Sequence, residues 1–370
     1  MDPQSQICHN TQCPARGKGG LDNIRVHSIK ERRYKCDTCG KTFAATKGTA
    51  LYRLHKPVEV YFLVMVLLSH GCPPQACVAA FGLDERTVSD WVAKAGSHCE
   101  AVHKHLVAGS KMELEHVQAD ELWVKLVGRK VWMAMAMCAT SRLWLGGVVS
   151  QHRDKQLVNA LAKLVRACAA DPRLLVCTVG LSSYINALRR AWRKPYYTGK
   201  RGRPRLVAAP GLLVGQMVKQ YAHRRVIGVI ERAVVGAREA ILQVLEATGT
   251  GVNTAYIERL NATFRARLAP LVRRTRAPAR KEATLTAGMW LVGCCYNYCW
   301  AHHSLRLHTV PGAGRKWGER TPAMAAGLTQ HIWRLEELLS YQAPLPEYAA
   351  PKRRGRPPKQ ATDQSLRLAA

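Results

Sequence analysis

The sequence predicts an α/β core preceded by two small modules, one stapled by cysteines and one all-helical. Three observations carry that reading. Residues 116–150 hold three apolar, strand-like stretches, followed by an amphipathic helix and a fourth strand. Two cysteine pairs fall within the first 39 residues. Between these regions lie short helical stretches punctuated by a Gly-containing turn. The expected organisation is 1–50, 51–110, a core over 111–310 with a basic insert near 195–215, and a tail over 311–370.

Composition narrows the partners. The chain has 370 residues, 47% of them hydrophobic, enough for one large core plus one or two small domains. Its formal net charge is +31, with basic residues spread along the whole length. A polyanion accounts for so much positive charge, because each phosphate contact by Lys or Arg releases condensed counterions. The ordered hydrophobic segments argue against a basic tail protein of ribosomal or membrane-surface type. Nucleic acid is therefore the leading partner, narrowed to double-stranded DNA by the motifs read below. The N-terminus is polar and reads as no export signal. The apolar run Val58–Leu68 is too short to span a bilayer, and Ala283–Trp300 carries Asn297, so a buried helix is expected there. The expectation is a cytoplasmic, nucleoid-associated protein with no membrane partner. Thirteen cysteines then read as reduced thiols with a metal site, not as a disulfide framework.

The metal site is placed in the first module. Cys36 and Cys39, in YKCDTCGKTF, form the stronger pair, because the following Gly lets the chain turn tightly enough for both thiolates to reach one ion. Cys8 and Cys13 form the other, with an irregular gap in which His9 competes with Cys8 as ligand. Four thiolates satisfy tetrahedral Zn2+, and closing the site supplies folding energy that so short a segment lacks. Tyr34 and Phe43 are its expected apolar support. A redox Cys-x-x-Cys needs a βαβ context that is missing here, and the other nine cysteines read as small core residues.

The second module follows as helices over Pro57–Ser69 and Pro73–Phe81, then the Gly82-Leu83-Asp84 turn. A third helix, ERTVSDWVAKAG, is expected to stop at Gly96. Val88, Trp91 and Val92 share an inward face. Arg86, Thr87, Ser89, Asp90 and Lys94 face outward. Short helix, Gly turn and polar-faced helix is the layout of a helix-turn-helix, whose last helix enters the major groove. Arg86, Thr87, Ser89 and Lys94 are its candidate DNA contacts.

In the core, HVQADELWVKL, VWMAMAMCAT and LWLGGVVS are spaced for an antiparallel meander. DKQLVNALAKLVRACA is the crossover helix and LLVCTVG a fourth strand, parallel to the first. The helix YINALRRAW, at least one strand within Val218–Val235, a helix from near Thr254 and a helical block Ala283–Trp300 complete it. This order gives a ribonuclease-H-like core. Its chemistry is two-metal phosphodiester cleavage or transfer, with Mg2+ or Mn2+ held by carboxylates from separate strands and a helix. Asp120 meets the first-strand requirement, since a carboxylate inside an apolar strand is costly unless it binds something. Glu121 points to the opposite face and reads as a supporting or surface residue. Glu258 meets the helix requirement, beside a buried stripe of Ile257, Leu260, Phe264 and Leu268. Glu258 and Arg265 lie to one side of that stripe, and Arg265 is a further candidate DNA contact.

Cysteine-pair ribbon, helix-turn-helix, ADELW, VGLSSY, YIERLNATFR and the closing YNYCWAHHSLR together resemble the bacterial insertion-sequence DDE transposases with an N-terminal zinc ribbon. The resemblance spans about Cys8 to Arg306. It implies an enzyme that binds the inverted repeats of its own element, cuts there and joins the ends to target DNA, working as a multimer with two divalent metals. Asp120 and Glu258 match two of the family's acids as catalytic metal ligands. The third, expected at the end of the fourth strand, is Val179. A valine neither ligates a cation nor balances its charge, so transesterification is expected to fall by orders of magnitude. The leading reading is a DDE-type transposase; the competing one is a decayed or repurposed DNA-binding descendant without catalysis, and a third, a ribonuclease-H-like nuclease acting on RNA hybrids, leaves the helix-turn-helix without a purpose.

Two segments share Arg-Gly-Arg-Pro: Gly199–Leu206, with Arg201 and Arg203, and Lys352–Lys359, with Arg354 and Arg356. Extended backbone with Arg side chains suits the minor groove. The second resembles an AT-hook in a Pro-rich, disordered tail beyond a C-terminal helix; a solvated basic tail is the alternative. The first reads as a loop gripping DNA backbone. Arg273, Arg274, Arg276 and Arg280 read as phosphate contacts. His302 and His303 either approach DNA or the site, or cap a helix.

Overall fold

The stretch His116–Leu126, buried on both faces along its first half, is strand β4 in a computed structural model that describes residues 1–199, 201–223, 225–272, 278–309 and 316–348. The chain divides into two units, Met1–Lys47 with Pro344–Ala370, and Gly48–Ala343.

In the larger unit, β4 pairs antiparallel with β5 (Arg129–Cys138), and β5 with β6 (Trp144–Ser150), as the short connections require. A helix, α4 (Lys155–Cys168), starts where Asp154 accepts from the Gln156 and Leu157 amides at 3.0 Å. It buries Leu157, Val158, Leu161, Ala162 and Val165 as one stripe. The chain returns as β7 (Leu174–Val179), parallel to β4. After α5 (Ser183–Ala191) and an outlying hairpin of β8 (Arg193–Tyr196) and β9 (Arg205–Ala208), β10 (Leu212–Ala222) lies parallel to β7. The segment Val218–Val235 holds the end of β10 and all of β11 (Arg225–Val235), which pairs antiparallel with it. The six-stranded order is β11-β10-β7-β4-β5-β6.

Helices cover this mixed sheet. The apolar stretches before it are α1 (Val58–Ser69), α2 (Pro74–Phe81) and α3 (Glu85–His103). Asp84 caps α3 by accepting from the Arg86 amide at 2.7 Å. Contrary to the expected stop, α3 runs straight through Gly96. A Cβ there would lie 2.4 Å from Ala287 Cα of α8 (Glu282–Cys294). The glycine therefore serves close approach of two helices, not termination. It also ties the helical segment to the core, with Ala95, Cys99 and Val102 buried in the same cluster as the sheet residues. The tail's expected helix is α10 (Leu335–Ser340), whose Leu338 carbonyl lies 3.0 Å from His98 Nε2.

The core centres on Trp144, whose ring meets those of His103, Trp290 and Phe264 at 5.2 to 5.7 Å. Asn297 is fully buried and clamps its backbone: Oδ1 accepts from Trp144 N and Nδ2 donates to Trp144 O, both at 2.9 Å. The clamp sits where the β5–β6 register shifts, between Ala136 and Met137. Asn297→Ala strands both groups in the core. A loss of roughly 2–4 kcal/mol in urea unfolding is expected. A loss under about 0.5 kcal/mol, the range of an ordinary surface change, removes the clamp from the account.

The smaller unit carries a three-stranded antiparallel sheet of β1 (Ile24–Ser28), β2 (Arg33–Cys36) and β3 (Thr42–Ala44). Its core is Ile24, Tyr34, Phe43, Ala15 and three of its cysteines. Among the described residues no helix is long and apolar enough to cross a membrane.

Candidate functional site

Asp120 lies in mid-β4, half-buried. The parallel register pairs Ala119 with Thr178 on β7, so one residue further on Val179 stands beside Asp120 at the end of that strand. The strand–turn–helix corner around Val179 is held by Gln216 of β10, itself buried. Its Nε2 donates to the Val179 and Leu181 carbonyls at 3.2 Å.

Glu258 arrives from the other side on α7 (Ala255–Arg267). Ile257, Leu260, Phe264 and Leu268 are buried as the stripe predicts. Gln118, on the Asp120 face of β4, fixes the start of α7: its Oε1 accepts from the Tyr256 and Ile257 amides at 3.0 Å. These are orphan donors of a helix N-terminus, satisfied by a strand side chain. One turn on, Asn261 Nδ2 donates to Asp120 Oδ2 at 2.8 Å. The other oxygen, Oδ1, accepts from the Glu121 amide at 2.8 Å.

A cation is already in place. Lys219, two residues beyond the Val179 partner Met217 on β10, donates from Nζ to Glu258 Oε1 at 2.6 Å. Thr254 Oγ1 donates to the same oxygen at 3.1 Å. Burial pushes Asp120 up to about 6, reinforced by the Glu121 and Glu258 charges and opposed by the Glu121 amide and by Lys219. The sign is unfavourable for an ionised Asp120. Its folded-state pKa exceeds the ordinary carboxylate value, so stability present at low pH is lost as pH rises from about 4 through about 6.

Among the described residues no further acid completes the pair. Glu121 is on the opposite face, as alternation requires, but it is no surface residue. Its side chain is 0% exposed and bound by Arg153, Nη2 to Oε2 at 2.7 Å. Asp171 is at the far end of the strand, paired with Arg173 at 3.1 Å. Among the described residues only the cysteine set groups three or more His, Cys, Asp or Glu ligands closely enough for one ion. Asp120 and Glu258, with Val179 at the end of β7 and an ammonium on Glu258, do not fit a two-metal centre.

The cysteine set does fit an ion. Cys8, Cys13, Cys36 and Cys39 bring their sulfurs within 4.8 Å of one another. Cys8 to Cys39 is 3.7 Å and Cys13 to Cys36 is 4.0 Å. A tetrahedron of Zn–S bonds near 2.3 Å has edges of about 3.8 Å. Gly40 takes φ +66° and closes the second knuckle, its amide donating to the Cys36 carbonyl at 2.7 Å. His9 is outside the set and meets the Phe43 ring at 5.2 Å, which leaves Cys8 as the ligand. Burial pushes the Cys8 and Cys13 thiols up, so a cation is needed to hold them as thiolates. The centre can bind a structural metal such as zinc.

The expected DNA contacts are dispersed. Arg86 and Ser89 are exposed on α3 and Thr87 is half-buried. Lys94 is drawn inward, its Nζ donating to the Tyr52 carbonyl at 2.7 Å. Arg201 and Arg203 are exposed in the loop joining β8 to β9, and Arg265 is half-buried in the last turn of α7. Arg273, Arg274, Arg276, Arg354 and Arg356 lie outside the described residues. Lys219, Gln216 and Asn261 were not singled out from sequence as site residues. Only Asn261 had a signal, its spacing of one turn from Glu258.

No protein-family model matches the chain, and no curated protein matches it in sequence.

Proposed function

We propose that this chain is a DNA-binding protein built on the plan of the insertion-sequence DDE transposases, with a catalytic centre that no longer holds metal. The observation that carries the reading is a pair of features in one place: Val179 beside Asp120, and Lys219 on Glu258. Support for the plan comes from the sheet. A three-strand meander, a helical crossover and two further parallel strands are the order of a ribonuclease-H-like core, with Asp120 and Glu258 on its expected strand and helix. The zinc ribbon, the helix-turn-helix reading of α2 and α3, and the +31 charge support end binding.

Each residue then has a modest role. Asp120 and Glu258 are joined to α7 and β10 through Asn261 and Lys219, and so lock the helix onto the sheet. Arg86, Ser89, Arg201 and Arg203 meet DNA. The protein works as a homo-oligomer on paired ends, in the cytoplasm at the nucleoid. The competing reading is an active transposase, favoured by the intact corner that Gln216 holds. In it, Mg2+ or Mn2+ binds despite the missing acid.

Binding is tested on duplexes carrying the inverted repeats. Affinity is expected to fall roughly 10³–10⁵-fold between 50 and 200 mM salt. Arg201→Gln and Arg203→Gln should each lower the log–log salt slope by about 1 across all sequences. Binding that ignores salt removes the DNA reading.

A further inference from the structure

A second site lies behind α7. A cavity of about 240 Å³ is lined by Arg142, Tyr256, Arg259, His302, His303 and Ser304, among others, and by no carboxylate. Tyr256 and Glu258 are two residues apart on the helix, about 200° around its axis. The cavity is thus on the side of α7 turned away from the acid pair.

Arg142 dominates it. The residue occupies the turn between β5 and β6 with φ +59°, a conformation rarely taken by an L side chain other than Asn or Asp. Its guanidinium lies 3.3 Å from the centroid of the Tyr256 ring. The ring fixes the plane of the fork without using its N–H groups. Nη1 is buried and has no hydrogen-bond partner among the described residues, and no ion pair forms to this arginine there. A buried, charged N–H without an acceptor is costly, and the absence of an acid leaves its charge uncompensated. The effect reaches the neighbours: burial, then the Arg142 charge, pushes His302 down to about 4, so its imidazole is neutral. Arg259 is exposed on the same face of α7, with His303 and Ser304 exposed beside it.

We propose that this cavity is a phosphate-binding site, with the Arg142 fork as its inner anchor. A guanidinium presents parallel N–H donors matched to two oxygens of a tetrahedral oxyanion. Arg259 supplies a second cation at the rim, and neutral imidazole and hydroxyl donors suit the remaining oxygens. The shared chemistry admits two sources, a free phosphate monoester or a backbone diester of nucleic acid. The diester arm rests on the DNA reading above; the site itself does not.

The full chain is titrated calorimetrically with inorganic phosphate at fixed ionic strength, beside Arg142→Gln and Arg259→Gln. Saturable binding is expected, weakened at least tenfold by Arg142→Gln and severalfold by Arg259→Gln. The second variant alters an exposed side chain and keeps the test valid if the first fails to fold. No saturable binding by the wild type, or equal binding by all three, overturns the site. Duplex with 5′-hydroxyl ends then separates the sources. A salt slope reduced by about 1 in Arg142→Gln assigns the backbone diester. An unchanged slope, with phosphate binding lost, assigns the free monoester. A chain that takes phosphate but no duplex keeps the site and removes the DNA-binding reading.

Discussion

Removing the metal from Cys8, Cys13, Cys36 and Cys39 is expected to unfold the amino-terminal module and leave residues 48–343 folded. The module buries only Ile24, Tyr34, Phe43 and Ala15 besides its cysteines. A core that small does not offset the chain entropy of some 45 residues. Metal binding supplies the difference, of order 10–16 kcal/mol for structural zinc at neutral pH. Chelation should abolish amide-exchange protection in β1–β3 while protection in β4–β7 persists. Cys36→Ser should do the same without chelator. Undiminished protection in β1–β3 of the metal-free chain would show that the metal is dispensable.

The second large effect concerns the acid pair. Wild type should bind no Mn2+ at low millimolar concentration, by electron paramagnetic resonance. Val179→Asp alone puts a third carboxylate beside Asp120, but Lys219 still holds Glu258. The double variant Val179→Asp/Lys219→Met changes the local charge from one net negative to three. It should gain Mn2+ binding and at least 100-fold more DNA nicking than wild type, the scale on which metal-held oxygens matter in transesterification. Val179 is half-buried at the strand end, so the Asp can be solvated. Mn2+ binding by the wild type, lost in Asp120→Asn and in Glu258→Gln, contradicts the account.

Strands were legible because their signal is local. β4 spans the residues that apolar content marked, α4 follows from amphipathic periodicity and β7 from a short apolar run. Local order also placed Asp120 and Glu258 on their strand and helix. The partners that decide what these acids do are products of register. Lys219 reaches Glu258 because β10 pairs with β7 in one frame, and no pattern within Leu212–Ala222 marks that frame. Gly96 misled for a related reason. A glycine near a helix end and a glycine at a helix crossing look alike until α8 is placed against α3. Lys94 alternates outward on α3, yet its long stem lets the ammonium turn back to Tyr52. Arg142 gave no sequence signal, since its guanidinium is set against Tyr256, more than a hundred residues away in sequence.

We propose, in short, that this chain binds DNA ends while its acid pair holds a lysine and no metal. That is tested most directly in one reaction: zinc-loaded wild-type chain, a duplex carrying the inverted repeats, and Mg2+ or Mn2+, with complexes and nicks read from the same sample. Bound, uncut duplex is expected in the wild type, and nicks only in Val179→Asp/Lys219→Met. Cleavage or strand transfer by the wild type as robust as by Val179→Asp/Lys219→Met would contradict it.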